Sequence, residues 1–112
     1  MKLNPDCIRD ILLLTEERES IMSPNNYPEL NKYSREEISY HAKQCNNAEL
    51  FERYRQYVDG GFSIVDLSAK GHEVLAKIRS DNAWSKIKSG LRSVVISSVT
   101  SLIDGILSGM FN

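Results

Sequence analysis

The chain has 112 residues, of which 41% are hydrophobic and 26% charged, with a formal net charge of −1. This length and composition predict one small globular domain, and the near-neutral charge excludes a polybasic protein that coats nucleic acid. Any contact with DNA therefore requires a local basic patch. The segment MKLNPDCIRD contains no long apolar run, so we predict no signal peptide and a cytoplasmic location.

The first predicted helix begins after Asn4 and ends near Arg18. Asn4 can cap the helix, Pro5 suits its first turn, and Asp6 complements the positive end of the helix dipole. The apolar stripe of this helix includes Ile8, Ile11 and Leu12, with Leu14 or Thr15 at its end. The segment SPNNYPEL then predicts a loop, with a short extended piece near residues 27–30.

Ser34 and Glu37 form a capping-box pattern at the start of a second predicted helix. One face of this helix is apolar and carries Ile38, His41, Ala42 and Cys45. The remaining positions could read base edges in DNA, and the candidate residues are Arg35, Tyr40, Lys43, Gln44 and Asn47. Glu36 and Glu37 argue against this interpretation, because carboxylates repel phosphates.

The pair Asp59-Gly60 predicts a β-hairpin, because glycine adopts positive φ without steric cost. The predicted arms are residues 52–58 and 62–67. Arg53 and Arg55 alternate with Tyr54 and Gln56 on the first arm, and we predict that the two arginines contact phosphate.

Ser68 is a predicted cap for a helix over residues 70–79, and a further helix follows with Trp84 and Ile87 facing inward. The order of elements is helix, short strand, helix, hairpin, helix. It predicts an α+β, mostly helical fold: a winged helix-turn-helix with a β-hairpin wing over residues 1–88.

Residues 89–112 form a predicted C-terminal amphipathic helix, because Asp104 is the only charged side chain after Arg92 and apolar residues recur at helical spacing. Such a stripe must pack on its own domain, on a second copy or on a membrane. The absence of basic residues after Arg92 and the cost of burying Asp104 make a membrane role the least favoured. We predict a homodimer through Leu91, Val95, Val99, Leu102, Ile103, Ile106 and Met110.

The histidines and cysteines do not form a recognisable catalytic or metal-binding motif. Gly71-His72-Glu73 lacks the second histidine of a zinc-binding HExxH motif, and nucleotide-binding and nucleophile motifs are absent from the sequence. We therefore expect no enzyme activity, no metal and no cofactor. His41 and His72 are predicted to be structural, and Cys7 and Cys45 to be reduced, buried hydrophobic side chains.

Three segments together resemble the bacterial and phage family of domain of unknown function 2513: MKLNPDCIRDILLLTEE, YSREEISYHAKQC and LSAKGHEVLAKIRSDNAWSKIK. The resemblance covers about residues 1–88, and the matching residues are Tyr40, His41, Gly71, His72, Glu73, Leu75, Arg79, Asp81 and Trp84. Ser68 and Val74 depart from the threonine and aromatic residue that are usual there. The resemblance implies a winged-helix-like fold and residence in prophages and other mobile elements, but no activity. It also implies that His72 anchors the junction of wing and helix and that Trp84 fills the adjacent core.

These observations favour a DNA-binding protein in transcriptional control, with the second helix in the major groove. A protein-interaction module that modulates a host or phage-defence protein is the first alternative, since it needs no excess of basic residues. A membrane-active effector that inserts its C-terminal helix is the second.

Overall fold

The computed structural model describes residues 2–23, 27–91 and 98–110. Its fold is α+β and mostly helical, as predicted. The elements, in chain order, are α1 (Pro5–Arg18), β1 (Ile21–Ser23), a 3₁₀ helix (Pro28–Leu30), α2 (Arg35–Asn47), β2 (Tyr54–Gln56), β3 (Phe62–Ile64), α3 (Ala69–Ile78), α4 (Asp81–Leu91) and α5 (Val99–Ser108).

The predicted helix caps are confirmed by their hydrogen bonds. The Asn4 side-chain oxygen accepts the N–H of Asp6 at 3.1 Å. Ser34 Oγ accepts the N–H of Glu37 at 3.1 Å, and Ser68 Oγ accepts the N–H of Gly71 at 3.0 Å. Each cap satisfies one backbone donor that the first helical turn leaves without an intrahelical partner.

The three strands form an antiparallel sheet in the order β1-β3-β2. Its first strand was predicted in the wrong place: residues 21–23 pair with β3, whereas Pro28–Leu30 is a 3₁₀ helix. Proline fixes φ near the helical value and has no N–H for a strand ladder, which explains the helical turn at Pro28. Ile21 pairs with Ile64, and both side chains are buried in the core.

The hairpin between β2 and β3 is confirmed. Gly60 has φ +89°, its N–H donates to the Tyr57 carbonyl at 3.1 Å, and the N–H of Gly61 donates to the Asp59 side chain at 2.9 Å. The paired strands are shorter than the predicted arms, and Phe51 and Leu67 form an isolated bridge below them.

The described part of the C-terminal segment belongs to the same core as the rest of the chain. The boundary predicted at residue 88 falls inside α4, and α5 packs on α2 and α3. Four of the predicted self-association residues are at most 4% exposed because they lie on the side of α5 that packs against the rest of the chain: Val99, Leu102, Ile103 and Ile106. A dimer through these four side chains would require α5 to leave its own domain.

The other three predicted self-association residues differ in position. Leu91 packs partly buried against the core, Met110 is 62% exposed, and Val95 lies outside the described residues. The homodimer stays a prediction. In the described ranges, no helix has the length and apolar character needed to cross a membrane.

Candidate nucleic-acid interface

The exposed side of α2 faces the turn of the hairpin across a shallow cleft. Arg35, Tyr40 and Lys43 line one wall of this cleft, and Gln56, Asp59 and Gly60 line the other. Ser39 Oγ donates to the carbonyl of Gly60 at 3.3 Å and so joins the helix to the turn. The structure therefore brings three of the predicted DNA-binding residues together beside the hairpin.

Two further predicted residues of α2, Gln44 and Asn47, lie toward its C-terminal end. Asn47 is exposed and Gln44 is partly buried. Both amides can donate and accept hydrogen bonds, as contact with a base edge requires.

Arg53 and Arg55 lie on the other side of the hairpin from this cleft. Arg55 pairs with Ser63, which pairs with Met22, so these three side chains share the face of the sheet that points away from the core. Both arginines are exposed and line a groove with Asn46, at the end of α2. The DNA-binding prediction groups the basic residues of α2 with Arg53 and Arg55, but the alternation of side chains along β2 places the two pairs on different sides of the hairpin.

The cleft has no excess of positive charge. Arg35 and Lys43 supply two positive charges, and Glu36 and Asp59, which line the same cleft, supply two negative ones. Contact with phosphates must therefore come from the reach of the two basic side chains rather than from a strong local field.

His41 is structural and joins the start of α1 to α2. It is fully buried, its Nε2 accepts the backbone N–H of Asn4 at 2.8 Å, and its Nδ1 lies 2.8 Å from the Glu37 carbonyl oxygen. This pattern assigns a neutral ring with the proton on Nδ1, since Nε2 must accept while Nδ1 donates. The structural role of His41 is therefore to connect the residue before α1 to α2 through these two hydrogen bonds.

His72 lies at the surface rather than in an anchoring pocket. Its side chain is 49% exposed, and its ring nitrogens lie 3.7 Å from carboxylate oxygens of Glu16 and Asp66. Exposed pairs of this kind contribute little to stability. The neighbouring Gly71 is the residue that fixes the junction, because a Cβ there would overlap the Leu50 carbonyl oxygen.

Trp84 fills the core and makes a polar contact at its edge. The indole is 4% exposed, and its N–H donates to Asp6 at 2.7 Å. Lys88 Nζ lies 3.2 Å from the same carboxylate. Burial alone would raise the pKa of Asp6, but the hydrogen bonds from Trp84 and Lys88 outweigh burial and hold that pKa below its ordinary value of 3.8.

Arg9 links α1 to the end of α3, a role that the sequence reasoning missed. It donates to the carbonyls of Ile78 at 2.9 Å and Arg79 at 2.7 Å, and it pairs with Asp81 at 3.0 Å. Its contacts with the last carbonyls of a helix are typical of an arginine cap. Only the packing of α1 on α3 brings these residues together, so no local motif indicates the contact.

The described cysteines are not poised for chemistry. Cys7 and Cys45 are free and buried, as predicted. Burial, reinforced by Glu37 and Asp10, raises the pKa of Cys7 to about 12, and burial also raises the pKa of Cys45. Protonated thiols are poor nucleophiles and metal ligands. Among the residues placed by the structure, no three His, Cys, Asp or Glu side chains are arranged to hold a metal ion.

Comparison with known proteins places the chain in a family. A family model described as "Hypothetical protein (DUF2513)" matches residues 2–97. An uncharacterized protein of Haemophilus influenzae is 34% identical over 98 residues, which covers 83% of this chain and 80% of that protein. No solved structure matches the chain significantly. Because the family model spans most of the sequence, from before α1 to beyond α4, the chain belongs to the DUF2513 family.

Proposed function

We propose that the protein is a winged-helix DNA-binding protein that acts in transcriptional control. The observation that supports this proposal is the sheet order β1-β3-β2, with α2 between β1 and the β2–β3 hairpin. In a winged helix, the helix before the hairpin is the recognition helix and the hairpin is the wing. The exposed side of α2 lies beside the hairpin turn, which supports the assignment of α2 as the recognition helix.

In the proposed complex, α2 enters the major groove. Arg35 and Lys43 contact phosphates on either side of the groove, while Tyr40, Gln44 and Asn47 contact base edges. Glu36 avoids the phosphates only if the middle of α2, rather than its first turn, lies deepest in the major groove. Phosphate contact by Arg53 and Arg55 stays a prediction, because these residues extend from the opposite side of the hairpin.

Fluorescence anisotropy tests the proposal on duplex DNA from the gene's upstream region and on a mixed-sequence duplex library. We expect binding at about 50 mM salt that weakens at about 200 mM salt, because phosphate contacts release counterions. Arg35→Gln/Lys43→Gln should weaken binding by about tenfold or more, equivalent to at least about 1.4 kcal/mol.

Lys77→Gln/Lys86→Gln is the matched control, since it removes the same charge from exposed positions on α3 and α4. Equal losses in the two double variants would indicate non-specific attraction and contradict a role for α2. A folded protein that binds neither DNA would refute the proposal outright.

A protein-interaction module is the second candidate, and one observation favours it. Among the described residues, the large hydrophobic side chains that remain exposed are Met22, Tyr57, Val58, Val65 and Met110. Four of these five lie on the hairpin, on the residue that follows β3, or on β1. Exposed apolar groups gathered in one region are typical of a binding surface.

A further inference from the structure

The outer sheet face is the side of the sheet that points away from the core. Cross-strand pairing places Met22, Ser63 and Arg55 side by side on this face. The N–H of Val65 donates to the Arg53 carbonyl at 3.0 Å, which continues the face by one step toward α3. At the other end, the hydroxyls of Tyr57 and Ser63 lie 3.1 Å apart. The outer sheet face therefore consists of Met22, Arg53, Arg55, Tyr57, Ser63 and Val65.

The apolar part of this face is exposed rather than covered by the chain. Met22 is 47% exposed, Val65 45% and Tyr57 40%. Met22 and Val65 are diagonal neighbours, because Met22 pairs with Ser63 and Val65 lies two residues further along the same direction. At the turn, Val58 is fully exposed, so the apolar surface extends to the tip of the hairpin.

The charge of the face is positive. Arg53 and Arg55 extend along β2 beside the apolar residues, and Glu52 is the acidic residue in the same groove. Two positive charges against one negative charge leave an excess of one. A ligand that matches this surface carries carboxylates on the side of β2 and apolar side chains over Met22 and Val65.

We infer that the outer sheet face binds an extended, acidic segment of a partner protein in which every second residue, on the side that faces the sheet, is acidic or apolar. An extended segment has a side-chain period of two, which matches the spacing of Arg53 and Arg55. Its carboxylates pair with the two arginines, and its apolar side chains cover Met22 and Val65. This inference goes beyond the proposed DNA binding, since it uses the opposite side of the hairpin from the α2 cleft.

Two other occupants fit this surface less well. A second copy of the chain packed face to face would bring four arginines close together with only two carboxylates, those of Glu52 in each copy. Single-stranded nucleic acid requires aromatic faces for its bases, and the face offers one aromatic residue, Tyr57, whose hydroxyl already contacts Ser63. The exposed aliphatic residues Met22 and Val65 instead favour apolar side chains of a protein.

The test uses the full chain and labelled synthetic peptides of about a dozen residues, read by fluorescence anisotropy at about 50 and about 200 mM salt. One peptide repeats Glu-Ser-Glu-Ser-Val-Ser-Val-Ser, so that its Glu and Val side chains lie on the same side (the Glu-Val peptide). A second peptide has Lys in place of Glu, and a third has Ser in place of Val (the Glu-Ser peptide). We expect the Glu-Val peptide to bind at least about tenfold more tightly than either of the others, and more weakly at the higher salt.

Two double variants identify the surface that binds the peptide. Met22→Ser/Val65→Ser and Arg53→Gln/Arg55→Gln should each weaken binding of the Glu-Val peptide by about tenfold or more. All four side chains are exposed, so both variants should fold, which circular dichroism checks. Arg35→Gln/Lys43→Gln should leave peptide binding unchanged, so that failure of the DNA proposal and failure of this one are separate results.

Several results would overturn the inference. Equal binding of the Glu-Ser and Glu-Val peptides would show attraction by charge alone. Tighter binding of an oligothymidine strand would assign the face to nucleic acid, and loss of duplex binding in Arg53→Gln/Arg55→Gln would assign the arginines to the DNA surface. A dimer in sedimentation that Met22→Ser/Val65→Ser dissociates would assign the face to a second copy.

Discussion

The junction between α2 and α3 and the turn of the hairpin each depend on one glycine, but for different physical reasons. A Cβ at Gly71 would overlap the Leu50 carbonyl oxygen and lie 3.2 Å from Cβ of Leu67. A Cβ at Gly60 would meet no atom within 4 Å, yet the residue has φ +89°. The junction therefore requires glycine for space, and the turn requires it for backbone conformation.

The surroundings of the two glycines also differ: the junction is closed by hydrogen bonds, whereas the hairpin is exposed. At the junction, the Leu50 carbonyl accepts the N–H of Ser68 at 2.9 Å, and Ser68 Oγ donates to the Glu49 carbonyl at 2.6 Å. These contacts close the start of α3 against the end of α2. The hairpin, in contrast, leaves its basic and apolar side chains exposed on two faces. Gly71 therefore serves the fold, whereas Asp59-Gly60 positions the side chains of the proposed binding surfaces.

Gly71→Ala should have the largest effect, a loss of about 3 kcal/mol in the free energy of unfolding. The added methyl group meets backbone, which cannot rotate away as a side chain could. Urea denaturation of the variant measures the loss. Lys70→Ala, one residue earlier in the same helix, should change the unfolding free energy by less than about 0.5 kcal/mol. If both variants unfold at the wild-type midpoint, the junction does not require glycine.

His41→Phe should cost about 2 kcal/mol, because it leaves the N–H of Asn4 without its acceptor and removes the side-chain hydrogen bond to the Glu37 carbonyl. His72→Phe should cost less than about 0.5 kcal/mol, since the exposed ring nitrogens of His72 lie 3.7 Å from the carboxylates of Glu16 and Asp66, too far for a hydrogen bond. Thermal unfolding of the two variants side by side compares a buried histidine with an exposed one. Equal losses would contradict the assignment of the structural role to His41.

The sequence predicted the elements whose signals are local. Caps at Asn4, Ser34 and Ser68 and the turn at Asp59-Gly60 each depend on a few adjacent residues, and all four are confirmed. The sequence did not predict β1, whose three residues form a strand only because β3 lies beside them. Short strands have little intrinsic preference apart from their neighbours.

The candidate site was predicted only in part for the same reason. Arg35, Tyr40 and Lys43 share one side of a helix, which helical spacing indicates. The position of Arg53 and Arg55 on the far side of the hairpin depends on which face of β2 meets the core. Met22 joins them through the pairing of β1 with β3, which the sequence pattern did not show.

Trp84→Phe should lower the unfolding free energy by about 1 kcal/mol at neutral pH, because it removes the hydrogen bond to Asp6. The carboxylate is 49% exposed, so solvent screens part of the interaction. Since the folded pKa of Asp6 lies below 3.8, this contribution is present above pH 3.8 and is lost as the pH falls through the folded pKa.

The difference between wild type and Trp84→Phe should therefore narrow on acidification. Denaturation at about pH 6 and about pH 3 measures it. Trp84→Phe in an Asp6→Asn background is the control, since that pair should show a difference that depends little on pH. If the difference in unfolding free energy between wild type and Trp84→Phe is the same at both pH values while Asp6 is unchanged, Trp84 contributes through packing alone.

Gly60→Ala should lower the free energy of unfolding by about 1 kcal/mol, because alanine at φ +89° is strained but meets no neighbouring atom. Gly60→Asn should lose less, since asparagine adopts positive φ more readily than alanine. Chemical denaturation measures both changes. Binding of DNA and of the acidic peptide should change more than the free energy of unfolding, because the turn orients both the α2 cleft and the outer sheet face. An alanine variant that loses stability but binds DNA and the acidic peptide as the wild type does would show that the turn conformation does not position either surface.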